Sequence, residues 1–236
     1  MAPPEASSSP VVVVARRLQP LGRPVVFVGG AIVVYLLDTP PVGGVRVTYD
    51  VDVVVDVATR SDHGRIEAAL RRLGFRHDTS PGAPICRWKV DGFVVDIMAT
   101  DPELMGFGNR WYREAQATAE DREIAPGVTI KLIRAPYFLA TKLEAFAGRG
   151  EGDYQASHDL EDLITVLDGR AGLLVEVRGA SPALQAYLQA QFAMLLAARG
   201  FVDALPGHLS PDDASQARLP IVLARLRALA SLDDSP

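Results

Sequence analysis

The stretch over residues 46–57, RVTYDVDVVVDV, constrains the fold most strongly, because it places aspartates at alternating positions of a valine-rich β-strand. Strands seldom carry aspartate, whose carboxylate competes for backbone hydrogen bonds. Side chains alternate between the faces of a strand, so Asp50 and Asp52 point to the same side with Cα atoms about 7 Å apart. The opposite face then carries valines that are expected to enter the core: Val51, Val53, Val55 and Val57.

Two carboxylates on one side of a strand favour a positive charge between them. Mg²⁺ meets this need, since it prefers oxygen ligands and completes its shell with water and substrate phosphates. Asp96, in the strand-like run FVVDIMA, supplies a third carboxylate if its strand pairs beside residues 45–57. Three carboxylates suit two metal ions about 3.5–4 Å apart, as used in in-line phosphoryl transfer. The alternative is that the aspartates only solvate the open face of an antiparallel sheet.

The chain changes character near residue 135. Before it, short Val/Ile-rich runs alternate with helical stretches, and Asp91-Gly92 between two such runs is a strong hairpin signal. After it the pattern is helical almost to the end, with helix starts expected at Pro136, Ser157 and Ser181 and a last helix over 212–232. We predict an α+β protein with a disordered N-terminus over 1–10, a catalytic α/β domain over 11–135 and a helical domain over 136–236.

Composition limits the compartment and the partners. The net charge of −5 does not suggest a protein that binds nucleic acid over its whole surface, although a local basic patch is compatible with this charge. Cys86 is the only cysteine, so no intramolecular disulfide can form and a reducing compartment is expected. No stretch approaches the roughly 18 apolar residues of a membrane span. We expect a cytoplasmic protein that does not bind a membrane.

The motifs resemble those of the nucleotidyltransferase superfamily that includes DNA polymerase beta. The resemblance rests on Gly29-Gly30 after a strand, on Arg46-x-Thr48-x-Asp50-x-Asp52, and on the later strand aspartate Asp96. It implies a nucleotidyltransferase-like mixed sheet with flanking helices. It further implies that the glycine pair contacts the triphosphate, that Arg46 and Thr48 help to bind the nucleotide, and that the aspartates hold magnesium. The third aspartate, Asp96, would be a metal ligand or the base that activates the attacking hydroxyl.

The segment over residues 141–163, TKLEAFAGRGEGDYQASHDLEDL, is similar to the Lys…Arg…Asp-x-x-Asp segment of the AbiEii-like nucleotidyltransferases, some of which are toxins of toxin–antitoxin pairs. This similarity implies a catalytic Lys142 and nucleotide-binding roles for Arg149, Asp159 and Asp162. The alternatives are a solvated helix face for the two cations and a favourable helix-dipole position for the two aspartates. Two departures from the family are the long loop DTPPVGG before the aspartate strand and Ala31 after the glycines.

The resemblance implies an enzyme that moves a nucleoside monophosphate from an NTP to a hydroxyl, with a two-ion magnesium site and release of pyrophosphate. RNA, a protein or a small molecule is open as the acceptor, and an antitoxin protein is open as a partner. The alternative is a catalytically silent module that binds a nucleotide or a protein partner on the same scaffold.

Overall fold

The computed structural model describes residues 9–41, 43–57, 59–150 and 152–232. It contains two compact units, the first formed by the chain up to Ile32 together with Val47–Arg134, and the second by Val33–Arg46 together with the chain from Ala135 onward. Most of the N-terminus predicted to be disordered, residues 1–8, lies outside the described residues. The first helix begins at Pro10, within the predicted disordered range.

The described elements of secondary structure are the following. The strands are β1 (Val25–Val28), β2 (Asp50–Val55), β3 (Arg76–His77), β4 (Arg87–Val90), β5 (Phe93–Ala99), β6 (Glu120–Ala125) and β7 (Val128–Leu132). The α-helices are α1 (Pro10–Leu18), α2 (Val33–Leu36), α3 (Arg60–Arg72), α4 (Pro102–Met105), α5 (Tyr112–Thr118), α6 (Ala135–Arg149), α7 (His158–Gly169), α8 (Leu173–Arg178), α9 (Pro182–Ala197), α10 (Arg199–Ala204), α11 (Asp213–Gln216) and α12 (Leu219–Ala230). Short 3₁₀ turns cover Gln19–Leu21, Gly30–Ile32 and Leu205–His208.

The first unit is built on a seven-stranded sheet of order β3-β4-β5-β2-β1-β7-β6. The strand β2 lies at its centre, parallel to β5 and antiparallel to β1. The valines predicted to face the core, at 51, 53, 55 and 57, are all buried. The parallel pairing of β2 with β5 confirms that the strand of Asp96 lies beside the strand of Asp50 and Asp52.

The predicted hairpin is confirmed, with β4 and β5 antiparallel and Val90 opposite Phe93. Its turn residues Asp91 and Gly92 both have positive φ, 49° and 84°. This is the backbone shape of a type I′ turn, which an Asp-Gly pair adopts at low cost. The tight turn fixes the register of the whole hairpin.

The second unit is helical, as the sequence predicts. The helix α6 packs on α7, and α9 packs on α12. The side chains of Ser157 and Ser181 accept hydrogen bonds from the backbone N–H groups of Leu160 and Leu184, so both predicted N-caps are confirmed. The predicted α+β class, a mixed sheet with flanking helices followed by a helical region, is confirmed. No helix in the described part of the chain combines the length and the apolar character that a membrane crossing needs.

Several element boundaries differ from the prediction. The strand β2 begins at Asp50, later than the predicted residue 45. The helix α3 begins after Thr59, whose hydroxyl caps it by accepting the N–H of Asp62. The predicted last helix is split into α11 and α12, and Pro220 stands in the first turn of the second piece, where its missing N–H costs nothing.

Candidate functional site

Three aspartates lie on one face of the central sheet in the first unit. Asp52 on β2 is directly opposite Asp96 on β5, and Asp50 lies two residues before Asp52. In-register residues of parallel neighbouring strands point to the same side of a sheet, as do residues two apart on one strand. Asp96 is buried, with 8% of its surface exposed, and the other two are half-buried. The sheet therefore brings the three predicted carboxylates together on one side.

The glycine bend lies against one of these carboxylates. The strand β1 ends at Val28, which pairs with Asp52 across the antiparallel ladder. Gly29 follows with a φ of +72°, and a Cβ built on it would lie 2.6 Å from Asp52 Cγ and 2.7 Å from Asp52 Cβ. Only glycine tolerates both this backbone conformation and this approach. Gly30 is buried and opens the next 3₁₀ turn.

Arg87 is a charged member of this face that the sequence analysis did not identify. It lies opposite Asp96 in the β4–β5 hairpin, and its guanidinium donates two hydrogen bonds, from Nε to Oδ1 at 2.9 Å and from Nη2 to Oδ2 at 2.7 Å. Hydrogen bonding to Asp96 raises the pKa of Arg87, and the negative charges of Asp96 and Asp50 add to this effect. Counting back from the Asp91-Gly92 turn would have placed Arg87 opposite Asp96.

The thiol of Cys86 is buried, and the same carboxylates affect its pKa. Burial raises the pKa of Cys86 to about 12, and the charges of Asp96 and Asp52 contribute to the rise. Cys86 lies directly before β4 and is a buried, neutral residue.

Two of the three carboxylates are suited to bind a metal ion. Among the residues that the structure describes, no group of three or more His, Cys, Asp and Glu side chains is arranged to hold a metal. Arg87 engages both oxygens of Asp96. Asp50 and Asp52 are two same-side carboxylates, and this donor set fits Mg²⁺, which is commonly held by one or two carboxylates and keeps water or phosphate on its other positions.

A second cluster of predicted residues lies within the second unit. Lys142 on α6 is 7% exposed, and its Nζ donates to Asp159 Oδ1 at 3.0 Å and to Asp162 Oδ2 at 2.6 Å. Arg149 lies further along α6 and donates two hydrogen bonds to Asp159, each 3.0 Å long. Arg46 donates to both oxygens of Asp162 at 3.1 Å. These five residues form one ion network.

In this network burial and the neighbouring charges shift the pKa values in opposite directions, and the neighbouring groups have the larger effect. Burial disfavours the charged form of Lys142, but the charges of Asp162 and Asp159 outweigh it and raise the pKa of the amine. Burial likewise opposes the charged form of Asp159, yet the hydrogen bonds of Arg149 and the charge of Lys142 lower its pKa. Lys142 is buried and therefore does not belong to a solvated helix face, whereas the Arg149 side chain is 73% exposed.

The predicted site residues thus fall into two groups, each described within its own unit. The first unit holds Gly29, Gly30, Thr48, Asp50, Asp52 and Asp96, and the second holds Arg46, Lys142, Arg149, Asp159 and Asp162. Thr48 precedes β2, and its buried Oγ1 has no hydrogen-bond partner among the described residues. Asp56 lies beyond the other end of β2 and accepts a hydrogen bond from Thr100 Oγ1 at 3.0 Å, apart from the three clustered aspartates.

The chain is similar to two solved structures, among others. One is an antigenic nucleotidyltransferase-like protein from Paracoccidioides brasiliensis, with 20% identity, a TM-score of 0.48, and coverage of 86% of this chain and 92% of the other. The second is JHP933 from Helicobacter pylori, with 14% identity, a TM-score of 0.47, and coverage of 98% of this chain and 94% of the other. No protein-family model matches the chain, and no curated protein does. At this level of likeness, function has to be argued from the chain's own residues.

Proposed function

We propose that this protein is a magnesium-dependent nucleotidyltransferase, which transfers a nucleoside monophosphate from an NTP to a hydroxyl acceptor and releases pyrophosphate. The observation that carries the proposal is the placement of Asp52 between its in-register neighbour Asp96 and the bend at Gly29. A carboxylate face beside a glycine bend is suited to a triphosphate and its metal, because carboxylates hold the cation and the bare backbone admits the phosphates.

In this proposal Asp50 and Asp52 hold Mg²⁺, which when bound neutralises charge on the transferred phosphoryl group. Backbone N–H groups at Gly29 and Gly30 approach the phosphates. The acceptor oxygen forms a bond to the α-phosphorus while the bond from that phosphorus to pyrophosphate breaks. The acceptor proton passes to a carboxylate, and Asp96, which Arg87 orients, is the group we assign to this step.

The second unit holds the other predicted residues, Lys142 and Arg149 among them. Lys142 donates to two carboxylates in a buried position, so its contribution in this arrangement is to fix α6 against α7. Arg149 is the exposed cation of the same network, and a nucleotide-binding role for it is proposed on sequence similarity alone. An RNA acceptor, a toxin role and an antitoxin partner are proposed on the similarity of residues 141–163 to the AbiEii-like proteins alone.

Isothermal titration with ATP, CTP, GTP and UTP, each with Mg²⁺, tests the proposal. The wild type is expected to bind at least one nucleotide, and the double variant Asp50→Asn/Asp52→Asn is expected to bind it at least tenfold more weakly. Asp56→Asn is the matched control, because it removes an aspartate charge just beyond the same strand but away from the cluster. Absence of nucleotide binding by the wild type, or equal binding by the double variant, contradicts the proposal.

A turnover measurement distinguishes the proposed enzyme from a catalytically silent binding module. The wild type is incubated with each α-labelled NTP and with RNA, protein and metabolite fractions of a cell extract. The proposed enzyme labels one fraction and releases pyrophosphate, and the double variant does neither. Nucleotide binding without label transfer to any fraction would favour the silent module.

A further inference from the structure

The hairpin places a permanent positive charge among the carboxylates. Arg87 and Asp96 are cross-strand partners, and the guanidinium forms a two-point contact with both carboxylate oxygens. The Asp91-Gly92 turn sets the register of the hairpin, and this register places Arg87 opposite Asp96. Arginine stays charged at all working pH values and fits a carboxylate in this planar, two-point manner.

Arg87 reduces the negative charge that these three carboxylates offer to metal ions. Asp50, Asp52 and Asp96 contribute three negative charges and Arg87 contributes one positive charge, which leaves a net charge of −2 for these four groups. One divalent ion neutralises that charge. A second divalent ion on Asp96 would have to approach oxygens that already bind the guanidinium, and like charges at such distances repel strongly.

We propose that Arg87 is a positioning residue that takes the place of a second metal ion, so that the site binds a single divalent ion through Asp50 and Asp52. This inference rests on the proposed function and departs from the two-ion site that the sequence suggests. Arg87 holds the Asp96 carboxylate in place and supplies the positive charge that a second ion would otherwise bring.

Counting bound Mn²⁺ on the full chain by electron paramagnetic resonance, in which only the free ion gives the sharp signal, tests the inference without an activity assay. We expect one tightly bound ion per chain for the wild type and one for Arg87→Lys, which keeps the charge. We expect two for Arg87→Gln, because Asp96 then loses its cation and becomes open to metal. Circular dichroism confirms that each variant is folded.

The outcomes separate the inference from the function on which it rests. Two ions on the wild type, or one ion on folded Arg87→Gln, overturn the role of Arg87 and leave the metal site standing. No ion on the wild type, or an unchanged count in Asp50→Asn/Asp52→Asn, overturns the proposed function itself. If Arg87→Gln does not fold, the counts for the wild type and for Arg87→Lys decide, since two ions on either one refute the inference.

Discussion

Replacing Gly29 by alanine is predicted to destabilise the first unit through two separable effects. Gly29 has a φ of +72°, where an L side chain costs about 1–2 kcal/mol. The new Cβ would also lie 2.6 Å from Asp52 Cγ, so the carboxylate must move. Forcing an extra methyl into a packed site costs about 1–3 kcal/mol. The expected total is about 2–5 kcal/mol.

Gly22 offers a matched control, because its φ is +73° and a Cβ built there meets nothing within 4 Å. Gly22→Ala therefore shows the backbone cost alone, about 1–2 kcal/mol. The difference between the two variants measures the approach of Asp52 to the glycine. Adding Asp52→Ala to Gly29→Ala is expected to recover part of that difference, because it removes the carboxylate that the methyl displaces.

Equilibrium urea unfolding followed by tryptophan fluorescence is the appropriate assay. Both tryptophans, Trp88 and Trp111, are buried in the first unit, so the signal reports the unfolding of that unit. If Gly29→Ala and Gly22→Ala lose the same stability within a few tenths of a kcal/mol, the carboxylate does not lie on the glycine bend and the reasoning fails.

Three further predictions concern buried charge and the thiol. Lys142→Met is expected to cost about 3–5 kcal/mol of unfolding free energy, because it removes the buried cation that Asp159 and Asp162 share. Lys131→Met breaks an exposed pair and should cost about 1 kcal/mol or less. Urea unfolding followed by far-ultraviolet circular dichroism measures both losses, because its helical signal includes the second unit, which holds Lys142. Because the pKa of Asp159 is lowered on folding, its stabilisation is present above its ordinary pKa and is lost as the pH falls below about 4. Acid unfolding of Asp159→Asn should therefore be less steep than that of the wild type, and parallel curves would count against this. The thiol of Cys86, with its pKa raised to about 12, should resist a disulfide reagent at pH 8 in the native chain and react fully in urea, and equal rates would argue against its burial.

The carboxylate face could be predicted from the sequence because the patterns that indicate it lie within short segments of the chain. Alternation over residues 50–53 separates valines from aspartates, although Val54 then interrupts it, and the Asp91-Gly92 turn fixes the hairpin that carries Asp96. Only the pairing of β2 with β5 had to be assumed, and the structure shows that this pairing exists and is parallel.

Other features depend on contacts that are distant in sequence. Arg46 stands close to Asp50 in the chain, yet it belongs to the second unit and binds Asp162, which is 116 positions away. Nothing near Arg46 indicates this partner. The exposed edge strand β6, EDREIA, was missed because it lacks the apolar alternation by which strands are identified. The shared face of Asp159 and Asp162 follows from helical spacing, but Lys142 as their common partner requires the packing of α6 on α7.

The central claim is that Asp50 and Asp52 hold a divalent ion beside the Gly29 bend. Crystals grown with Mn²⁺ and a non-hydrolysable NTP analogue test it through the anomalous signal of manganese. The account predicts a peak within bonding distance of both carboxylates, with the triphosphate against Gly29 and Gly30. A peak at another place, or a triphosphate bound away from these aspartates, would contradict it.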